Sequence, residues 1–311
     1  SPFILNEIKN AEIKSKELES ELQVLLLPKD PNENSNIFFT NPVNWYIPED
    51  IKDILEMPLN EVNHAPKNKV LVLRDDGSNG DEEMVAYFRM NGFEVYNYNI
   101  KLLENNLDKL DDMNGIVFVG GFTSSDIMGG ATCWANKLKN NKKIFSNLIN
   151  FIQNKQKFVI GVCNGFQLLI KLGIFGEGIA LEENISQRFE SRFVPVCVKN
   201  NIKNVFFDKM DNTLFGIWCA HKMGRITIDN SINPEFVPVL KYSSSQYPLN
   251  PNGSVDDIAG VVSNDGRILG LMPHFERSFL NYQCQYIPPE YSNIQFSPWM
   301  FMSENIKEFL S

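Results

Sequence analysis

Histidine and cysteine are scarce in this chain, three and five residues respectively out of 311. Three imidazoles are too few for a His-rich metal site, and no metal is expected. Five cysteines is an odd number, and none stand at close metal-type spacing. That argues for reduced thiols in a cytoplasmic setting. Long apolar runs are absent, since no stretch approaches the roughly 20 residues that span a bilayer. Residues 1–27 lack the basic, apolar, small order of a signal peptide. Positive charge is also in deficit. The 29 Lys and Arg face 38 Asp and Glu, a net charge of −9, which argues against nucleic acid or an anionic membrane as partner. Gly77-Ser78-Asn79-Gly80 opens a helix but lacks the Gly-Lys-Ser/Thr ending of a nucleotide loop, so it is given no nucleotide role. The chain begins with Ser1 rather than Met, which reads as a trimmed chain or a piece of a longer polypeptide.

What is present is an ordinary globular balance, 43% hydrophobic and 22% charged, long enough for one large or two small domains. Ile4, Ile8, Ile13, Leu18 and Leu22 recur at helical spacing and predict an exposed or docking helix over 1–27. Residues 28–66 are proline-rich and polar and read as a linker or surface wrap. The expected organisation is therefore a linker or docking segment, 1–66, and one domain, 67–311.

Lys69 to Leu73, Phe93 to Tyr98, Gly115 to Val119 and Lys157 to Ile160 read as strands. Helical patterns over Asp81 to Met90 and from about Ala131 to Lys155 separate them, the second broken near Asn140-Asn141. Alternation of this kind predicts an α/β fold, a mostly parallel central sheet with helices on both faces. Arg192 to Lys199, Phe236 to Tyr242 and a hairpin around Asn264-Asp265-Gly266 predict a more antiparallel edge. Ligand sites of such sheets lie at the carboxyl ends of the strands. Gly120-Gly121-Phe122 and Cys163 both fall there.

Cys163 sits in Gly161-Val162-Cys163-Asn164-Gly165-Phe166-Gln167, between an apolar strand and a helix start. A sulfur at that corner faces the unpaired N–H groups of the helix, which stabilise a thiolate. The flanking glycines suit a sharp elbow, which has no room for side chains and favours positive φ. Further on stands Met272-Pro273-His274-Phe275-Glu276-Arg277. On an extended segment a two-residue step puts His274 and Glu276 on one side. His274 then exchanges a proton with the sulfur while Glu276 fixes its tautomer. Cys133, Cys197, Cys219 and Cys284 read as small buried hydrophobes. His221 lacks a carboxylate two residues on, so the spacing favours His274 as the base; His64 reads as surface.

Cys163 with a distal His-x-Glu resembles the class I (triad) glutamine amidotransferases. A wider set of motifs is similar to one branch of them, the glutaminase domains of phosphoribosylformylglycinamidine synthases, over roughly residues 68–310. These are Leu73-Arg74-Asp75-Asp76-Gly77-Ser78-Asn79-Gly80-Asp81, Gly120-Gly121-Phe122-Thr123-Ser124-Ser125-Asp126, Arg188-Phe189-Glu190-Ser191-Arg192, Asn250-Pro251-Asn252-Gly253-Ser254 and Ser297-Pro298-Trp299. The last resembles the large, fused form, in which residues 1–66 would join the glutaminase to a synthetase.

The resemblance implies a flavodoxin-like three-layer fold and glutamine hydrolysis through a Cys163 thioester, with His274 and Glu276 completing the triad. It implies oxyanion donors at Gly121 and Asn164, and a glutamine pocket from Gly120, Phe122, Gln167, Arg188 and Phe189. L-glutamine and the synthetase part, fused or in trans, are the implied partners. ATP and magnesium would belong to the synthetase, leaving no cofactor in this chain. Three positions depart from the family pattern: Ser125 replaces a glycine, Met223 an acid and Phe275 a proline. They motivate one alternative, an interaction domain that has lost catalysis; a separate alternative is another γ-glutamyl Cys-His hydrolase of the same fold.

Overall fold

The computed structural model describes residues 45–57, 67–126 and 129–311. The helix expected over 1–27 and His64 lie outside the described residues. β1 (Lys69–Arg74), β3 (Gly115–Phe118) and β4 (Phe158–Val162) are short runs of apolar, largely β-branched residues, buried on both faces as a parallel sheet requires. They join β2 (Glu94–Asn99) and β11 (Ile268–Leu271) in a parallel half ordered β2-β1-β3-β4-β11. β10 (Ile258–Ser263), β9 (Phe236–Tyr242), β6 (Glu190–Val198) and β7 (Leu214–His221) continue it antiparallel, giving nine strands in one sheet. Among these strands only β6 and β10 run against the rest. β5 (Ile179–Glu182) and β8 (Arg225–Ile228) form a separate antiparallel pair.

Helices cover both faces of the sheet. α2 (Asp81–Met90) packs on β1 and β2, with Met84, Tyr87 and Phe88 buried. α4 (Thr132–Asn140) packs against both α5 (Lys142–Gln153) and α6 (Asn164–Lys171), and α6 packs on β3, β4 and β11. The expected break at Asn140-Asn141 separates α4 from α5. There the Asn141 side chain accepts from Ile144 N and caps the second helix. A short α3 (Ile100–Asn105) follows β2, and α7 (Trp299–Leu310) ends the chain.

Part of the segment expected as linker or wrap is folded onto the domain. α1 (Glu49–Glu56) contacts α7, and Ile51 and Leu55 are fully buried. Leu55 O accepts from both Gln295 N and Phe296 N. Tyr46 exchanges both backbone hydrogen bonds with Leu214, the first residue of β7.

β7 is last in the strand order, yet its outer edge is occupied along its length. Leu214 pairs with Tyr46, and Gly216 O accepts from the Trp299 indole. Trp218 N donates to Ser278 Oγ, and Trp218 O accepts from His274 N at 2.7 Å. Ala220 O accepts from the Cys163 thiol at 3.8 Å. The antiparallel half therefore curls back until its last strand meets the carboxyl ends of β4 and β11.

Candidate active site

Cys163 joins β4 to α6 with φ 51° and ψ −107°, a conformation that L-residues hold only under constraint. The expectation put positive φ at the flanking glycines. The structure puts it on the cysteine, and the glycines serve close packing instead. A methyl on Gly161 would lie 2.8 Å from Gly165 O, and one on Gly165 would lie 2.0 Å from Phe118 O. Elbow and helix are thereby pressed against β3, with the sulfur at the helix N-terminus.

His274 Nδ1 and Glu276 Oε1 are 2.6 Å apart, and both residues are buried. The expected extended segment is not what joins them. Phe275–Arg277 is a turn of 3-10 helix that begins immediately after His274. It curls Glu276 back under the imidazole, and Phe275 locks it by packing edge-to-face on Tyr87 at 4.8 Å and against Trp299. Packing thus supplies the restraint that the missing proline would have given. His274 Nε2 has no partner among the described residues. Burial works to lower the His274 pKa, but the Glu276 charge and the nearby Cys163 sulfur outweigh it and raise it to about 9.

Gly120 stands between His274 and Cys163. A methyl there would lie 2.7 Å from His274 Cε1 and 3.4 Å from Cys163 Cβ. Gly121 follows at φ 145°, and Ser124, Ser125 and Asp126 are all left-handed. The loop after β1 holds this turn through its backbone. Asn79 N donates to Gly120 O, Phe122 N to Gly77 O, and Ser124 N to Asp76 O. Phe122 N is therefore occupied, whereas the Gly121 and Asn164 amides have no acceptor among the described residues. Two free N–H groups beside a thiol form an arrangement that can receive an oxyanion. Sequence reasoning left the Asp76–Gly80 loop without a role, since its contacts run through main-chain atoms.

The remaining expected site residues divide. Gln167 lies beside the elbow, but both ends of its amide are engaged within the chain. Its Nε2 donates to Met223 O at 2.6 Å and its Oε1 accepts from Asn164 Nδ2 at 2.9 Å. Asn164 Oδ1 in turn accepts from Thr123 Oγ1 at 2.8 Å. A relay of side chains thus ties Thr123 and the elbow to the loop carrying Met223. A cavity of about 520 Å³ adjoins it, lined by Gln167, Met223, Gly130, Lys139 and Glu177 among others. Phe122 and Phe189 are exposed, with ring centroids 6.0 Å apart, beside the Gly120-Gly121 turn. Arg188 is exposed. The buried carboxylate in this segment, Glu190, is paired with Arg192, whose guanidinium also covers the Tyr247 ring at 4.8 Å. No cluster of three or more His, Cys, Asp or Glu able to hold a metal occurs among the described residues.

The profile of the CobB/CobQ-like glutamine amidotransferase domain matches residues 67–310. A probable phosphoribosylformylglycinamidine synthase of Arabidopsis thaliana, described as chloroplastic/mitochondrial, is 33% identical over 305 residues, 89% of this chain and 21% of its own length. The chain thus spans about a fifth of such long curated relatives. The PurQ subunit of phosphoribosylformylglycinamidine synthase from Picrophilus torridus is 35% identical, covering 69% of this chain and 89% of the subunit. Among solved structures, PurLQS from Thermotoga maritima matches with TM-score 0.61 and 28% identity, over 79% of this chain and all of that one.

Proposed function

The chain belongs to the CobB/CobQ-like glutamine amidotransferase domain family, and from that premise we propose that it is the glutaminase part of a phosphoribosylformylglycinamidine synthase. The observation that carries this reading is the convergence on Cys163 of two free amides and a base held 2.6 Å from its carboxylate.

Cys163, as thiolate, attacks the carboxamide carbon of glutamine. The developing oxyanion is received by the Gly121 and Asn164 N–H groups, fixed by backbone before the substrate arrives. His274, protonated at neutral pH, gives its Nε2 proton to the departing ammonia. A γ-glutamyl thioester remains on the sulfur. His274 then takes a proton from water, which adds to the thioester and releases glutamate. Glu276 balances the imidazolium charge whenever the ring is protonated. Ser125 adopts the left-handed conformation that the family's glycine would allow, which supports an oxyanion turn that keeps its shape.

In this reading the ammonia passes to a synthetase part, fused or in trans, where ATP activates formylglycinamide ribonucleotide. ATP and magnesium act there, and these residues hold no cofactor. In this reading 67–311 form the glutaminase domain with the 45–57 segment docked on it, the residues before 67 lead to the synthetase part, and the enzyme works in the cytoplasm. No described helix is long and apolar enough to cross a membrane.

The test is mass spectrometry after incubation with 6-diazo-5-oxo-norleucine, a reactive glutamine analogue, with Cys163→Ala as control. A single adduct on Cys163, absent from the variant, is expected. No adduct, even with the synthetase part present, would leave the chain an interaction domain.

A further inference from the structure

His221 ends β7, one residue beyond the carbonyl that accepts the Cys163 thiol. Its ring is buried and clamped so tightly that a methyl on Gly224 would lie 2.2 Å from Cδ2. Which ring nitrogen carries the proton is decided by Asn252. Asn252 Oδ1 accepts from Ser254 N at 3.0 Å and from Ser254 Oγ at 2.7 Å. Its Nδ2 donates to Gly224 O at 2.8 Å. A backbone donor on one side and a backbone carbonyl on the other leave the amide one orientation. The same Nδ2 stands 3.0 Å from His221 Nε2 and 3.2 Å from Tyr242 Oη. Nε2 must accept there, since two facing N–H groups would repel. The proton of the neutral ring is therefore on Nδ1.

Burial, and next the His274 charge, push the His221 pKa down to about 3, so the ring stays neutral at any working pH. Nδ1–H is nevertheless buried with no acceptor among the described residues. A buried donor left unpaired costs roughly 1–3 kcal/mol. The ring lies close enough to His274 for their charges to interact, and its strand borders the site. Trp218 and Ala220 of the same strand hold His274 N and the Cys163 thiol, and Met223, two residues on, holds Gln167.

We propose that His221 Nδ1–H is a substrate-directed donor that hydrogen-bonds an oxygen of bound glutamine. This rests on the glutaminase reading and adds a specificity residue to it. His221 takes no part in proton transfer. It supplies one fixed, uncharged donor whose partner arrives with the substrate, and Asn252 keeps it in the donating tautomer.

Two amide variants separate this role from a structural one. In His221→Asn the amide nitrogen falls near the position of Nδ1, so the donor survives while the bond to Asn252 is lost. In His221→Gln the amide falls near Nε2, so the bond to Asn252 survives while the donor is lost. The readout is the rate of Cys163 labelling by 6-diazo-5-oxo-norleucine, set against labelling by methyl methanethiosulfonate, which has no glutamine-like part. His221→Gln is expected to slow the glutamine analogue at least ten-fold and leave the small reagent unchanged. His221→Asn is expected to stay within about three-fold of the parent for both. Labelling of His221→Gln at the parent rate would overturn the proposal, as would an equal loss with both reagents. A parent chain inert to the analogue but reactive to the small reagent would instead remove the glutaminase reading, and this donor's substrate with it.

Discussion

Gly120 Cα and the His274 ring are packed so closely that one added methyl group would reach within 2.7 Å of Cε1. The first glycine of the pair after β3 is thus a spacer for the His274 ring. Gly120→Ala should fold, because the crowded neighbour is a single ring, but the ring must shift away from Cys163. A displacement of about 1 Å costs on the order of 100-fold in rate. Glutamine turnover should fall by that much with little change in melting temperature, and an active Gly120→Ala enzyme would show that the ring has room to spare.

Glu276→Gln preserves shape and removes the charge that holds the His274 proton. The imidazole pKa should drop from about 9, and the turn of 3-10 helix should remain. Loss of the corresponding carboxylate in Ser-His-Asp enzymes lowers kcat by about 10⁴. A fall of roughly 100- to 10,000-fold in kcat, with KM for glutamine changed far less, is expected from steady-state kinetics.

The two buried histidines bend the pH–stability profile in opposite directions. The pKa of His274 is raised from 6.5 to about 9, so its contribution is complete below pH 6.5 and is lost as pH climbs through 9. That of His221 is lowered to about 3, so its contribution is complete above pH 6.5 and is lost as pH falls toward 3. Between pH 5 and 8 stability should therefore peak near 6.5, with losses on the order of 1–2 kcal/mol on either side. Thermal melts at half-unit intervals would reveal the peak. His221→Gln should flatten the acid limb alone, and a profile unaltered by it would contradict this assignment.

The segment before residue 67 should matter to folding even though the family match begins there. Leu55→Ala removes a fully buried side chain between α1 and α7 and should cost roughly 2–5 kcal/mol. A chain starting at residue 67 should melt lower still, since Trp45, Ile47, Ile51 and Leu55 all leave the core. Differential scanning calorimetry of the two would check this. Equal melting temperatures for the shortened and the full chain would mean that the docked segment contributes nothing.

How far the chain could be read from sequence followed from where each signal resides. β3 and β4 were legible because strands buried on both faces must be apolar throughout, and the elbow because its glycines have no substitute. The hairpin at Asn264-Asp265-Gly266 announced its turn. β7 was not legible. Leu-Phe-Gly-Ile-Trp-Cys-Ala-His alternates imperfectly, because both its faces are largely covered and its outer edge is filled by other parts of the chain. The engagement of Gln167 was hidden for a related reason. Its partner is the carbonyl of Met223, and a carbonyl oxygen leaves no trace in residue type. The 45–57 segment carries only one short amphipathic helix among prolines, and its burial depends on α7, some 250 residues away.

The outer edge of β7 has a consequence that no single side chain reveals. Leu214, Gly216, Trp218 and Ala220 present their main-chain groups outward by the two-residue repeat of a strand, and the thiol and the base hang from adjacent repeats, about 7 Å apart. A single residue inserted into β7 would change the parity of everything beyond it and exchange outward for inward carbonyls. Cys163, His274 and Glu276 would all still be encoded, yet the sulfur and the imidazole would lose their common rail. The proposed site therefore has a reading frame of its own, kept by a strand that contributes none of Cys163, His274 and Glu276.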